Sequence, residues 1–377
     1  MEKCRENQLK KEERKRNARE FLLASEGGCS AMSWETEDGL VLWGRNFDFN
    51  RIAKGTNVLY VPAEIPYDTC GGVLPEEKTL PSKKRGKYAA IGIGGLFLSD
   101  TPLFYEGMNE EGLMGGQLYF RKFAAYPKNC QSGRIPVQPS VLLTHVLLQC
   151  KDTKEVEEEL KNRISLVDLP ILGTVVQVHW MFTDRRGRSI VVEERRDGLH
   201  VYPDTMGIMT NSPDYEWHRL NILNYVQIRQ EDYGIREFDG ERVEPCFSGS
   251  GTLGLPGDFT SPSRFVRLAF LKKYGAKGKN EKDGVTRLFH MMHHAAFPPG
   301  LAVVGEPGEN MPYDERMVPY DYTIYTSVMC AQSGRFYWTT FENMNIRCAA
   351  LADLKERQEP VQLELNGRDG YSQERVR

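Results

Sequence analysis

No CxxC pair and no regular spacing links the eight cysteines of this chain, so a disulfide framework is not indicated. A reducing compartment, the cytoplasm, is therefore the expected location. Long apolar runs are missing as well. No segment reaches the length needed to cross a bilayer, and Phe21-Leu22-Leu23-Ala24 is too short for a signal-peptide core. Charge of one sign is not in excess: the net value of −3 gives no electrostatic reason to expect nucleic acid as a partner. Internal repeats and low-complexity linkers are absent too. What is left is a chain of 377 residues with 40% hydrophobic content, enough for one large domain or two small ones.

Residues 1–28 differ from everything after them, being dominated by Lys, Arg and Glu until Phe21 and ending in Gly27-Gly28. They read as a leader, a solvated propeptide or helical extension that is removed or disordered in the working protein, with 29–377 forming a single domain. A start codon assigned too far upstream would also account for this composition.

The segment GGCSAMSWETEDGLVLWGRNFDFN then reads as a tight β-hairpin. Asp38-Gly39, flanked by alternating apolar residues, signals a two-residue type I′ turn. Such a turn sets Cys29 opposite Asp48, with Cβ atoms roughly 5 Å apart on one face. Alternation leaves Arg45 on the other face from Asp48 unless a bulge near Gly44 brings it round. A thiol beside a carboxylate is a poor nucleophile unless a cation lies between them. Cutting the chain between Gly28 and Cys29 would supply that cation as the α-amine of Cys29. Its ordinary pKa of about 7.7 to 8.0 suits proton transfer at neutral pH. Asp48 would then hold the amine and Arg45 would stabilise the thiolate. An ordinary buried cysteine with a surface Arg and Asp explains the same residues, and spacing does not choose between the two.

Alternating apolar patterns predict strands over Leu40 to Asp48, Tyr88 to Ile93, Leu113 to Phe120, Val175 to Thr183, Ser189 to Glu194, Gly207 to Thr210, Thr323 to Cys330 and Arg335 to Phe341. Helices are expected over Pro139 to Cys150, Thr153 to Arg163, Glu216 to Tyr225, Pro262 to Tyr274 and Gly284 to Ala296. Antiparallel pairs dominate and helices come in separate groups, which places the chain in the α+β class with helices outside layered sheets. The stretch from Pro298 to Pro319 reads as a long loop.

Further places could carry chemistry. In MTNSPDYEWH, Asn211 stands where a strand ends, and its amide can donate to a developing oxyanion; Asn before Ser-Pro is also a common turn former. In LPGDFTSPSRFVRLAF, Ser261 as N-cap and Pro262 as first helical residue put Arg264 in the first turn, where the helix dipole disfavours a cation. Either Arg264 holds Asp48 or tunes the thiol, or it is simply solvated. GMNEEGLMGGQLYF ends a strand near Tyr119, which can complete an oxyanion hole or line an acyl pocket, or merely pack. His290, His293 and His294 share a helix with no acidic ligand among them, so a metal is not expected. GSGTLG satisfies GxGxxG, but no strand feeds it and Pro256 follows it, so it is read as a loop. A papain-like set of Cys29, His179 and Asn211 is set aside because His179 lies within the alternating strand VVQVHWMFTD.

Together CSAMSW, GRNFDF, GMNEEGLMGGQLYF, MTNSPDYEWH, GLPGDFTSPSRFVR and DYTIYTSVMCAQS make the chain from Cys29 to about Cys348 resemble the choloylglycine hydrolase family of N-terminal nucleophile hydrolases. That family includes penicillin V acylases and bile salt hydrolases. The resemblance implies a four-layer αββα sandwich of antiparallel sheets and a homotetramer. It carries the nucleophile onto Cys29, a thiol-tuning Arg onto Arg45, an amine-binding Asp onto Asp48, an oxyanion Asn onto Asn211 and a second Arg onto Arg264. Tyr119 resembles the acylase branch, where bile salt hydrolases more often have Asn. The leader is long for the family, which puts the processing route in question.

The resemblance thus implies hydrolysis of a linear amide through an acyl-enzyme, with no metal or organic cofactor and with a small N-acyl amide as partner. An aryloxyacetyl amide such as penicillin V is the first-choice substrate, a glycine- or taurine-conjugated bile acid the second, and N-acyl homoserine lactones follow by analogy. Outside enzymology, the same cleft would suit a non-catalytic scaffold that binds amphipathic acyl ligands.

Overall fold

The computed structural model describes residues 2–25, 27–72, 82–98, 101–304 and 319–367, with side chains from residue 10 onward. Two antiparallel sheets face one another across a single core. One has seven strands, in the order Ile208–Met209, β1 (Gly28–Glu35), β2 (Val41–Phe49), Tyr320–Cys330, Arg335–Thr340 and Arg347–Ala350, with Ala302–Val303 added beside Tyr320–Cys330. The other has eight, running Gly198–Tyr202, Ser189–Arg195, Val178–Thr183, Met114–Tyr119, Leu103–Asn109, Ala90–Gly95, Asn57–Val61 and Val361–Leu363. Trp43 from the first sheet and Gly116 from the second meet at the centre, where a Cβ on Gly116 would lie 2.9 Å from the indole. Helices Ser261–Tyr274 and Glu281–His293 cover the outside of the first sheet, and Pro139–Gln149 covers the second. The expected four-layer αββα arrangement is what forms.

The expected strands and helices are all present, within a few residues at their ends. Thr153 to Arg163 is helical throughout but switches to a wider turn at Glu159, and the last turn of Glu216 to Tyr225 is a 3-10 helix. Unforeseen strands include Leu103–Asn109, Asn57–Val61 and Gly198–Tyr202. The first, LFYEGMN, opens on three consecutive apolar residues and lacks the alternation that marks a half-exposed strand. Most of the Pro298 to Pro319 loop lies outside the described residues.

The turn between β1 and β2 corrects the two-residue reading. The Gly39 amide donates to the Thr36 carbonyl and the Thr36 amide to the Leu40 carbonyl, while Gly39 takes φ +81°. This is a three-residue loop whose last residue is left-handed, a conformation glycine adopts without steric cost. The extra residue slips the register by one. Cys29 pairs with Phe47, and Asp48 pairs with Gly28. A one-residue slip moves side chains to the other face. Cys29 thereby shares a face with Arg45, and no bulge at Gly44 is needed.

Segment α1 (Glu2–Ala24) spans most of the expected leader. Residues 10–16 are solvent-facing, but Ala18, Phe21, Leu22 and Ala24 are buried in the main core, where a fully solvated propeptide would leave them exposed. Gly27 follows because the chain there grazes β2: a Cβ would stand 2.6 Å from the Asp48 carbonyl oxygen.

Candidate active site

The Cys29 thiol lies buried between the sheets, 2% exposed. Arg45, one rung along on the same face, donates from Nη2 to the Cys29 Sγ at 3.0 Å. From Nη1 it donates to the Tyr105 carbonyl and to Glu106 Oε2, each at 2.6 Å. Glu106 also accepts from the hydroxyls of Tyr325 and Ser327, so its carboxylate is held from three sides. Such an anion offsets the cost of burying the guanidinium.

Asp48 sits on the opposite face of β2, next to the backbone of Gly28 and Cys29. A bulge in the neighbouring strand between Thr323 and Tyr325 lets the Thr323 hydroxyl donate to Asp48 Oδ1 at 2.5 Å and stacks Tyr325 on Phe47. Arg264 Nη1 lies 3.9 Å from Asp48 Oδ2, and that oxygen is buried with no hydrogen-bond partner among the described residues. Arg264 further donates to the Cys29 carbonyl, to Ser30 Oγ at 2.6 Å and to Asn211 Oδ1 at 2.8 Å. Its guanidinium points inward, away from the solvated alternative. The helix cap itself is Thr260 and not Ser261, whose hydroxyl instead accepts from the Asn211 amide at 2.9 Å.

Asn211 closes the ring. Its Oδ1 accepts from the Cys29 backbone N–H at 2.9 Å, and its Nδ2 donates to the Tyr119 carbonyl at 2.9 Å and, more distantly, to the Gly27 carbonyl at 3.5 Å. His218 Nε2 donates to the Asn211 carbonyl at 2.9 Å; burial takes this imidazole down to about 4, so it is neutral. His179 is no general base: Glu193 and the Thr210 carbonyl engage its two nitrogens, and Phe120 stacks on its ring. Among the described residues, no group of three or more His, Cys, Asp or Glu is placed to hold a metal.

Six expected residues therefore converge: Cys29, Arg45, Asp48, Asn211 and Arg264 directly, and Tyr119 through its main chain. Glu106, Thr323, Ser261 and His218 were missed. Glu106 had a legible signal, a single acid inside the apolar strand LFYEGMN, where only a buried cation makes such a residue tolerable.

The electrostatics suit an uncut chain. Burial raises the Cys29 thiol above its ordinary value, against the pull of Arg45. Burial also pushes the Asp48 carboxyl up to about 7, against Arg264 and the Thr323 hydroxyl. A carboxyl whose folded pKa is raised stabilises the fold at low pH and loses that contribution as pH rises through the folded value. An uncleavable Cys29→Ala chain should thus lose stability between pH 4 and 7, relative to its Asp48→Asn variant, by at most about 4 kcal/mol. Melting temperatures across that range measure it, and parallel profiles would contradict a neutral buried Asp48.

A family model described as linear amide C–N hydrolases, choloylglycine hydrolase family, matches residues 29–361. The chain belongs to that family. Its match begins at Cys29, leaving α1 outside. A bile salt hydrolase/transferase of Clostridium perfringens is 34% identical over 322 residues, spanning 84% of this chain and 91% of the relative. A conjugated bile acid hydrolase of Lactobacillus acidophilus is 30% identical over 84% of this chain and 93% of its own. The crystal structure of a variant of conjugated bile acid hydrolase from Clostridium perfringens superposes with a TM-score of 0.74 at 31% identity, covering 90% of this chain and 97% of that one. Penicillin V acylase from Agrobacterium tumefaciens shares the fold, at TM-score 0.66 and 20% identity over 88% of this chain and 89% of that one. The chain is accordingly a linear amide hydrolase with an N-terminal nucleophile sandwich.

Proposed function

We propose that Cys29, freed by a cut after Gly28, is the nucleophile of an amide hydrolysis that runs through a thioester. The single observation that supports this most is the orphaned Asp48 Oδ2 beside the Cys29 backbone. An α-amine released there is the donor that oxygen lacks, and the positive charge it acquires on accepting the thiol proton would favour the ionised form of Asp48. The amine takes the thiol proton as sulfur attacks the acyl carbonyl, and Arg45 favours the thiolate. Asn211 Nδ2, now against the Gly27 and Tyr119 carbonyls, faces the place where the oxyanion develops. The amine then hands its proton to the leaving amine, and water releases the acid. Asn211→Ala should lower kcat by about 10²- to 10³-fold. A loss below fivefold in initial-rate assays would remove Asn211 from the oxyanion role.

For the acyl group we favour an aryloxyacetyl amide, because Phe47, the ladder partner of the nucleophile, stacks on Tyr325 and packs tilted against Tyr105, and Tyr119 ends its strand there. Conjugated bile acids are the second reading, favoured by the activities for which the 30–34% identical relatives are named. Penicillin V and glycocholate assayed side by side decide: the favoured reading expects the former to be hydrolysed at least tenfold faster, and the reverse ranking gives the bile acid. Residues 29–377 as one working domain, residues 1–28 as a leader severed from it, cytoplasmic work and a homotetramer complete the proposal. None of the seven described cysteines is in a disulfide, in keeping with a reducing setting. Exposed Leu223, Val226, Phe238 and Val243 offer apolar surface for assembly.

A further inference from the structure

The end of α1 is docked beside the nucleophile. The ring of Phe21 stacks on Tyr105 with centroids 4.1 Å apart and packs on Phe97 at 4.9 Å. Tyr105 in turn lies 4.7 Å from Phe47, the ladder partner of Cys29, and the Tyr105 carbonyl accepts from the same Arg45 that touches the Cys29 sulfur. Phe21 is wholly buried, and so is Leu22. Polar contacts pin the rest: the Lys54 amide donates to Glu20 Oε2 at 3.0 Å, Lys54 Nζ pairs with Glu13 at 3.5 Å, and Gln117 donates to Ser25 Oγ at 3.4 Å.

All these contacts lie within residues 13–25. A cut after Gly28 breaks none of them. Burial of apolar surface holds a peptide in place whether or not it is covalently attached. We propose that the severed leader is a built-in competitive ligand of this enzyme: it stays docked, Phe21 occupies the place of the substrate's acyl group, and substrate must displace it. The class of acyl group that fits is flat and aromatic, since a phenyl ring already fills the slot between Tyr105 and Phe97. This inference rests on the amidohydrolase reading for its kinetic consequence, though not for the binding itself.

The test starts from the full chain, expressed and allowed to mature. Native mass spectrometry should find the leader peptide retained at one per chain, and Phe21→Ala should lower KM for a phenoxyacetyl amide at least tenfold with kcat unchanged. Adding a synthetic peptide of residues 10–25 should restore the higher KM, and the same peptide carrying Phe21→Ala should not. Phe21→Leu, which keeps the apolar face of α1, should give an intermediate KM and guards against a folding artefact. A leader lost on maturation, or a KM that moves less than twofold in the Phe21→Ala chain, overturns the proposal. A second arm needs neither cutting nor catalysis. In the Cys29→Ala chain, a fluorescent phenoxyacetyl amide should bind at least tenfold tighter when Phe21 is also Ala, because removing a buried ring leaves an apolar cavity that takes a ring-sized ligand. Equal binding overturns the proposal. A chain that hydrolyses no amide would sink the amidohydrolase reading, and this binding arm would still decide the leader's role.

Discussion

Cys29→Ala should leave Gly28 and residue 29 joined and reduce amide hydrolysis by about 10⁴-fold or more, the scale on which loss of a nucleophile is felt in other hydrolases. Both losses follow from one atom, because the sulfur accepts from Arg45 at 3.0 Å while Asn211, Arg264 and Asp48 converge on the backbone of the same residue and its neighbour Gly28. The fold should survive, since only a sulfur is removed from a rung fixed by eight paired positions between β1 and β2. Intact mass reads the first loss and initial rates the second. A chain that is cut and turns over normally without this thiol would end the catalytic proposal, whereas loss of activity with retained ligand binding separates an enzyme from a binding scaffold.

Glu106→Gln carries the largest expected cost in stability, about 3 to 5 kcal/mol, because it strands the Arg45 cation in a site where neither partner is more than 2% exposed. Burial raises the Glu106 carboxyl, and the Arg45 charge opposes that rise, so the pair stands only as a pair. Arg45→Met with Glu106→Leu removes both charges and should recover most of the stability, since an apolar pair of similar volume is often neutral. It should not recover activity, because the thiol then has no cation beside it. Chemical denaturation of the single and double variants measures the first expectation. If Glu106→Gln were as stable as the parent, the ion pair would be a surface decoration and not a structural support for the nucleophile.

Much of this was legible in the sequence wherever one residue type has one plausible use. Several strands announced themselves by alternation in the sequence although both their faces are buried, as in β2, Met114–Tyr119 and Val178–Thr183, and helices by their spacing and caps. Leu103–Asn109 did not, because LFYEGMN opens on three consecutive apolar residues and carries no period-two pattern. The same strand carries Glu106, so the partner of Arg45 stayed hidden with it. The turn is the instructive error. Asp38-Gly39 is compatible with both a two-residue and a three-residue loop, and only the Thr36 hydrogen bonds choose. That choice moved Cys29 from the side of Asp48 to the side of Arg45, and so separated the group that tunes sulfur from the group that receives the amine.

The amino-acid sequence by itself determined the layered α+β class, the family and the five side chains Cys29, Arg45, Asp48, Asn211 and Arg264, because local patterning and motif order depend only on neighbours along the chain. Tertiary structure alone decided how they are divided over the two faces of β2, which anion supports Arg45, and that the leader's Phe21 lies against Tyr105. Those are contacts between residues dozens of positions apart, brought together by inter-sheet packing, and no local propensity encodes which distant surface a buried side chain will meet.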